Sequence, residues 1–99
     1  MIRHIVTWKL SASDDASKAA AFTEIAEALG ALPALIPEIQ TLRVNHNQAF
    51  FDSNWDVVLV ADYNTFDDLA AYQVHPEHVK AAAVVRSHVA ERSSIDFEL

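Results

Sequence analysis

The sequence has no cysteine, one glycine (Gly30) and only three prolines in 99 residues. The lack of cysteine excludes disulfide bonds, a thiolate nucleophile and cysteine-ligated metal sites. Disordered chains are rich in Pro, Gly and Ser and poor in large apolar residues. A hydrophobic fraction of 52% is the opposite composition, and the length suits one domain. We therefore expect a single ordered domain over residues 1–99.

Positive charge is also scarce, with seven Lys and Arg against 14 Asp and Glu. Phosphate backbones and anionic lipids attract clusters of basic residues, and here the basic residues are scattered singly. No apolar run approaches the roughly 20 residues of a membrane span, and the first residues do not resemble a signal peptide. We expect a cytoplasmic protein with neither a nucleic-acid nor a membrane partner. The carboxylates of Asp56, Asp62, Asp67, Asp68 and Glu77 are expected to be solvated.

Hydrophobic periodicity predicts seven elements in the order β-α-β-β-α-α-β. Alternation of period two predicts strands over 2–10, 39–48, 55–63 and 93–99. Helical spacing of apolar residues and an acidic start predict a helix that ends near Gly30. Thr65 or Asn64 can cap a short helix near 66–73, and Pro76 opens another that runs to about Ala90.

This order predicts an α+β, ferredoxin-like fold with a four-stranded antiparallel sheet and helices on one side. The third strand, however, is apolar on both sides, with Val57 and Leu59 on one and Val58 and Val60 on the other. Helices can cover only one face, so Ile5, Val58 and Val60 would form an exposed apolar patch. We expect a second copy to cover it, giving a homodimer built as a dimeric α+β barrel.

Three features of the sequence are candidates for chemistry. His4 lies among large apolar residues of the first strand, and is either a hydrogen-bonded core histidine or a group that lines a pocket. Tyr72 either packs or directs its hydroxyl toward His78. His75 and His78 flank the start of the last helix, where they could cap it, face a cavity or bind a metal. No further ligands accompany them, so we predict neither a metal nor a cofactor.

The segment Tyr72-x-x-His75-Pro76-x-His78, with strand patterns around His4, Trp55–Leu59 and Ile95–Glu98, resembles the stress-responsive dimeric A/B barrel (Dabb) family. The resemblance covers nearly the whole chain and implies a ferredoxin-like homodimer. In the olivetolic acid cyclase branch, which closes a polyketide by aldol condensation without a cofactor, the acid–base pair resembles Tyr72 and His78. The strand histidine of that branch matches His4. The cyclase also has a tyrosine in its first long helix, where this sequence has none.

These observations leave three functions open. The first is a stress-associated dimer that binds a small apolar or aromatic ligand between sheet and helices, or that has no ligand and no chemistry. The second is a cofactor-independent, polyketide cyclase-like enzyme with His78 as base, Tyr72 as its partner and His4 nearby. The third is a cofactor-free monooxygenase, as some related dimeric barrels are. A space between sheet and helices well under about 300 Å³ would favour a dimer without chemistry.

Overall fold

A computed structural model describes residues 1–99 and shows one antiparallel sheet with three helices. The strands are β1 (Ile2–Leu10), β2 (Ile39–His46), β3 (Val57–Tyr63) and β4 (Val89–Glu98), arranged in the order β2-β3-β1-β4. The helices are α1 (Asp15–Gly30), α2 (Phe66–Val74) and α3 (Pro76–Arg86), and a 3₁₀ turn spans Leu32–Ala34. The predicted ferredoxin-like order of elements is confirmed. None of the helices is long and apolar enough to span a bilayer.

Each helix begins at a residue that caps its first turn. The carboxylate of Asp14 accepts a hydrogen bond from the N–H of Ser17 at 2.9 Å, and the hydroxyl of Thr65 accepts one from the N–H of Asp68 at 3.1 Å. The Nδ1 atom of His75 accepts from the N–H of Glu77 at 3.1 Å. Because each cap satisfies an otherwise unpaired N–H, the sequence fixes where the helices start.

The predicted boundary between the last helix and the last strand is wrong. The helix was expected to run to about Ala90, but α3 ends at Arg86 and β4 already begins at Val89. The N–H groups of Ser87 and His88 bond back to carbonyls of the last helical turn. The carbonyl of His88 then accepts the N–H of Ser11 at 2.8 Å. β1 extends to Leu10, which pairs with Val89. Hydrogen bonds between β1 and β4 therefore replace those of the last predicted turn of the helix.

Side chains alternate between two faces of the sheet. On the covered face, every second residue of β1 and β3 is buried beneath the helices, and this face forms the hydrophobic core. Its members from the two strands are Ile2, Val6, Trp8, Leu10, Val57, Leu59, Ala61 and Tyr63. The helices contribute Ala21, Ile25, Leu29, Leu69, Tyr72, Ala81 and Val85. The register of β1 and β3, with Val6 opposite Leu59, keeps these residues on the same side.

The opposite side, here called the open face, carries no helix. Its apolar residues are Ile5, Val58 and Val60, which are half-buried, and Ile95 and Phe97, which are exposed. These five side chains lie on three neighbouring strands and form the apolar patch that the sequence predicts.

Two carboxylates are not solvated as predicted. Asp62, on the open face, is buried and accepts two hydrogen bonds from Arg3 at 2.9 and 3.0 Å and one from Thr41 at 3.1 Å. The hydrogen bonds from Arg3 hold the pKa of Asp62 below its usual range. Asp56 is half-buried and accepts from the N–H of Leu10 and from Lys18. Each carboxylate is withdrawn from solvent beside a compensating positive charge, Arg3 on the neighbouring strand for Asp62 and Lys18 on α1 for Asp56.

Candidate ligand cavity and its histidines

A cavity of about 470 Å³ lies between the covered face of the sheet and the helices. All three helices contribute to its walls, together with β1, β3 and the start of β4. The strand residues are His4, Val6, Trp8, Leu59, Val89 and Arg92, and the helix residues are Leu29, Tyr72, Gln73, His78, Ala82, Val85 and Arg86. The structure therefore brings His4, Tyr72 and His78, the three candidates from the sequence, into one cavity.

Tyr72 and His78 meet because the chain bends sharply at His75. His75 has extended backbone angles, as expected for a residue that precedes proline, and it separates α2 from α3. The bend folds the first turn of α3 back onto the last turn of α2. The ring centroids of Tyr72 and His78 are consequently 4.3 Å apart, with an angle of 44° between the rings.

His78 is held as a neutral base. Its Nδ1 atom lies 3.0 Å from the carbonyl oxygen of Gln73, so Nδ1 carries the proton and donates it. The lone pair is then on Nε2. Burial lowers the pKa of His78, outweighing the opposing effect of the Gln73 carbonyl, and His4, Arg92 and Arg86 lower it further. The imidazole is therefore uncharged at neutral pH and able to accept a proton.

Tyr72 is the complementary group, because its phenol stays protonated. Only 1% of Tyr72 is exposed, and burial raises the pKa of its hydroxyl. A second tyrosine, Tyr63, has its ring centroid 5.1 Å from that of Tyr72, and its buried hydroxyl has no hydrogen-bond partner in the protein. Tyr63 is not among the candidate site residues that the sequence indicates. Its place on the covered face of β3 was the available clue, but periodicity does not tell a packing tyrosine from a polar one.

His4 is buried beneath the same cluster, with its ring centroid 6.3 Å from that of Tyr72. Its Nδ1 atom is hydrogen-bonded to the carboxylate of Asp96, which lies directly opposite His4 on β4. This bond fixes the orientation of the ring and leaves Nε2 as the nitrogen that does not contact Asp96. No role could be assigned to Asp96 from the sequence, because its pairing with His4 depends on the register of β1 and β4.

His75 does not join His78 in a metal site. Its Nδ1 atom caps α3, whereas the Nδ1 atom of His78 bonds to Gln73. No group of three or more His, Asp or Glu side chains in the chain is arranged to hold a metal ion. Of the alternatives for His75, the capping role is the one that the structure assigns.

The model of the stress responsive A/B barrel domain family matches residues 2–99. The chain belongs to this family. The Tyr-x-x-His-Pro-x-His segment and the strand patterns thus pointed to the right family. A comparison with curated proteins finds no match.

Solved structures of this family's fold resemble the chain over its full length. A dimeric protein of unknown function from Bacteroides fragilis is 30% identical, with a TM-score of 0.89 over 99% of this chain and 95% of that chain. A dimeric ferredoxin-like protein of unknown function from Thermobifida fusca is 31% identical, with a TM-score of 0.83 over 99% and 90%. The hydroxynitrile lyase of Passiflora edulis is 13% identical, with a TM-score of 0.78 over 97% and 90%, a likeness of fold alone.

Proposed function

We propose that this protein is a homodimer in which each copy binds a small apolar or aromatic molecule between its sheet and helices. The observation that carries the proposal is the cavity of about 470 Å³, walled mainly by apolar side chains and containing Tyr72 and two histidines. Ligand sites commonly have volumes of about 300–1,000 Å³, with apolar walls and a few convergent polar groups. A side-chain-filled space, expected of a dimer without a ligand, would be smaller.

The dimer part of the proposal rests on the open face. Five apolar side chains lie there without a helix to cover them, next to the ion pair of the half-buried Arg3 with the buried Asp62. A two-fold contact would place the same patch of each copy against the other and complete an eight-stranded barrel. The relatives from Bacteroides fragilis and Thermobifida fusca, both described as dimeric, support this arrangement.

Filling the cavity tests the ligand part of the proposal. Ala82 lines the cavity, whereas its neighbour Ala83 is exposed on the same helix. The probe is 1-anilinonaphthalene-8-sulfonate, an anionic aromatic dye whose fluorescence rises when its rings leave water. We expect Ala82→Phe to weaken dye binding about tenfold or more, because the larger side chain would remove most of the apolar contact area between dye and cavity. Ala83→Phe should leave dye binding unchanged. Equal binding by both variants would contradict a ligand site in this cavity.

A second function, cofactor-independent acid–base catalysis, is favoured by one pair of groups. The neutral His78 has a free lone pair beside the protonated Tyr72, at a ring distance of 4.3 Å. Nε2 of His78 would remove a proton from carbon next to a carbonyl group. The hydroxyl of Tyr72 would donate a hydrogen bond to the oxygen as it becomes an enolate. His4, oriented by Asp96, would hold the opposite side of the reacting group.

Hydrogen exchange on a ketone tests this chemistry without knowledge of the natural substrate. 2-Nonanone dissolved in D₂O exchanges its α-protons slowly by itself, and NMR follows their loss. We expect the protein to accelerate the exchange and His78→Gln to remove about 10²–10⁴-fold of that acceleration. The control is His46→Gln, because His46 is exposed and does not line the cavity. Exchange within threefold of the original rate in the His78 variant would exclude His78 as the base.

A further inference from the structure

The basic residues of the chain are distributed unevenly with respect to carboxylates. Four of the seven, Arg3, Lys9, Lys18 and Lys80, form ion pairs. The other three do not, although the chain has 14 carboxylates. Two of these three, Arg86 and Arg92, line the cavity, and the only side-chain hydrogen bond of Arg92 is to the hydroxyl of Ser94. An acidic protein thus keeps two unpaired guanidinium groups at one cavity.

Both arginines lie at the same end of the cavity. Arg92 is paired across the sheet with Trp8, and Asp96 is paired with His4. The distance along β1 from His4 to Trp8 is about 13 Å at the usual rise of a strand. Along α3, the distance from His78 to Arg86 is about 12 Å. Because α3 ends where Leu10 pairs with Val89, the helix and β1 both run from the histidine end of the cavity to the arginine end.

We propose that Arg86 and Arg92 bind the anionic head of an elongated apolar ligand, a carboxylate in its commonest form, whose other end then lies against Tyr72 and His78. This inference rests on the proposed ligand-binding function and adds the charge and the orientation of the ligand. The walls between the two ends, formed by Val6, Leu29 and Leu59, suit an alkyl or aromatic body. Arginine suits the head because its planar group can donate two parallel hydrogen bonds to a carboxylate.

The carboxylate of Asp96 does not oppose this arrangement, and that of Glu24, near the arginine end, is hydrogen-bonded to His88. Asp96 is hydrogen-bonded to His4, at the opposite end from Arg92. The positive charges of the arginines also reach the candidate reactive groups. Burial is the main cause that lowers the pKa of His78, and Arg92 and Arg86 add to it. A bound carboxylate would neutralise them, so the ligand would restore part of the basicity of His78.

A pair of ligands with the same shape tests the charge. Nonanoate and nonanamide have the same alkyl chain, but the head of nonanoate is a carboxylate anion and that of nonanamide is a neutral amide. Calorimetric titration measures the affinity of each. We expect nonanoate to bind about tenfold more tightly to the original protein, a ratio that falls with added salt because the arginines are exposed. Arg86→Gln and Arg92→Gln should each lower the ratio about threefold, and the double variant should bring it close to one.

The matched control is Lys80→Gln, which removes the same charge from α3 at a residue that does not line the cavity. An unchanged ratio in this variant supports the proposal, whereas a fall equal to that of the arginine variants would reduce the effect to net charge. If nonanoate and nonanamide bind equally to the original protein, the anionic head is wrong but the ligand cavity stands. If neither binds, the proposed ligand function itself fails, and the inference with it.

Nuclear Overhauser contacts test the orientation. With the head at the arginines, the terminal methyl group of nonanoate should show contacts to the ring protons of Tyr72 and His78. Contacts of that methyl group to the indole of Trp8 would mean that the ligand lies the other way round, and would overturn the assignment of the head.

Discussion

The two faces of the sheet use the same strands in different ways. On the covered face, Val6 and Leu59 contact the helices and one another, and a cavity remains beside them. On the open face, the neighbouring residues Ile5 and Val60 are just as apolar but only half-buried. The open face also holds a charged pair, in which Asp62 is buried and its partner Arg3 is still partly exposed. One face is therefore complete within the single chain, whereas the other has the composition of an interface core without its partner.

A charge on the open face should have the largest effect. We expect Val60→Asp to weaken the proposed dimer about 1,000-fold or more, because each copy would bury an unpaired carboxylate and a two-fold contact buries it twice. Sedimentation over a range of concentrations measures the dissociation constant. The control is Val79→Asp, since Val79 is 52% exposed on α3. An original protein that is monomeric at micromolar concentration would contradict the dimer outright.

The same truncation on the two faces should have different consequences. Ile25, a residue of α1, is fully buried in the core, whereas Ile95 is 60% exposed on the open face. Ile25→Ala should lower the free energy of unfolding by about 2–5 kcal/mol, the usual cost of such a cavity. Ile95→Ala should have a smaller effect on unfolding and should mainly weaken association. Urea unfolding at fixed concentration and sedimentation separate the two, and equal losses on both faces would show that the comparison is mistaken.

The cavity on the covered face should respond to mild acid. The pKa of His78 is lower in the folded chain than its unfolded value of about 6.5. Below pH 6.5 the unfolded chain therefore binds more protons, and stability falls until the pH passes the folded pKa. His78→Gln should reduce this loss between about pH 6.5 and the folded pKa. Unfolding curves at several pH values measure it, and an NMR titration of His78 with a midpoint above 6.5 would refute the cause.

The contribution of the open face to stability should change only in stronger acid. We expect this to be the smallest of the effects described here. The pKa of Asp62 is lowered mainly by its hydrogen bonds from Arg3, and the stability that this gives is present above the unfolded value of about 3.9. It is lost as the pH falls through the folded pKa. Asp62→Asn should lower stability near neutrality, where the ionised carboxylate contributes, and should flatten the stability curve in the acid range where that contribution is otherwise lost. An acid slope as steep in the variant as in the original protein would contradict the role given to Arg3.

The sequence predicted correctly those features that depend on residues close together along the chain. Alternation assigned His4 and Ile5 correctly to opposite faces, and Thr65 and Pro76 marked the starts of α2 and α3. It failed at the end of α3, because the competing hydrogen bonds come from β1, about 80 residues away in sequence. It also misplaced Asp62, whose neutralising partner, Arg3, lies on another strand. Each error involves a partner that is distant along the chain.

The candidate site shows the same division. The sequence by itself determined the residue types, the bend at His75-Pro76 and the apolar character of both faces, because these depend on side-chain chemistry and on near neighbours. Only the tertiary structure decided that Asp96 meets His4, that Tyr63 lies beside Tyr72, and that Arg86 and Arg92 line the same cavity. Strand register and helix packing set these contacts, and both are properties of the whole fold rather than of any one segment.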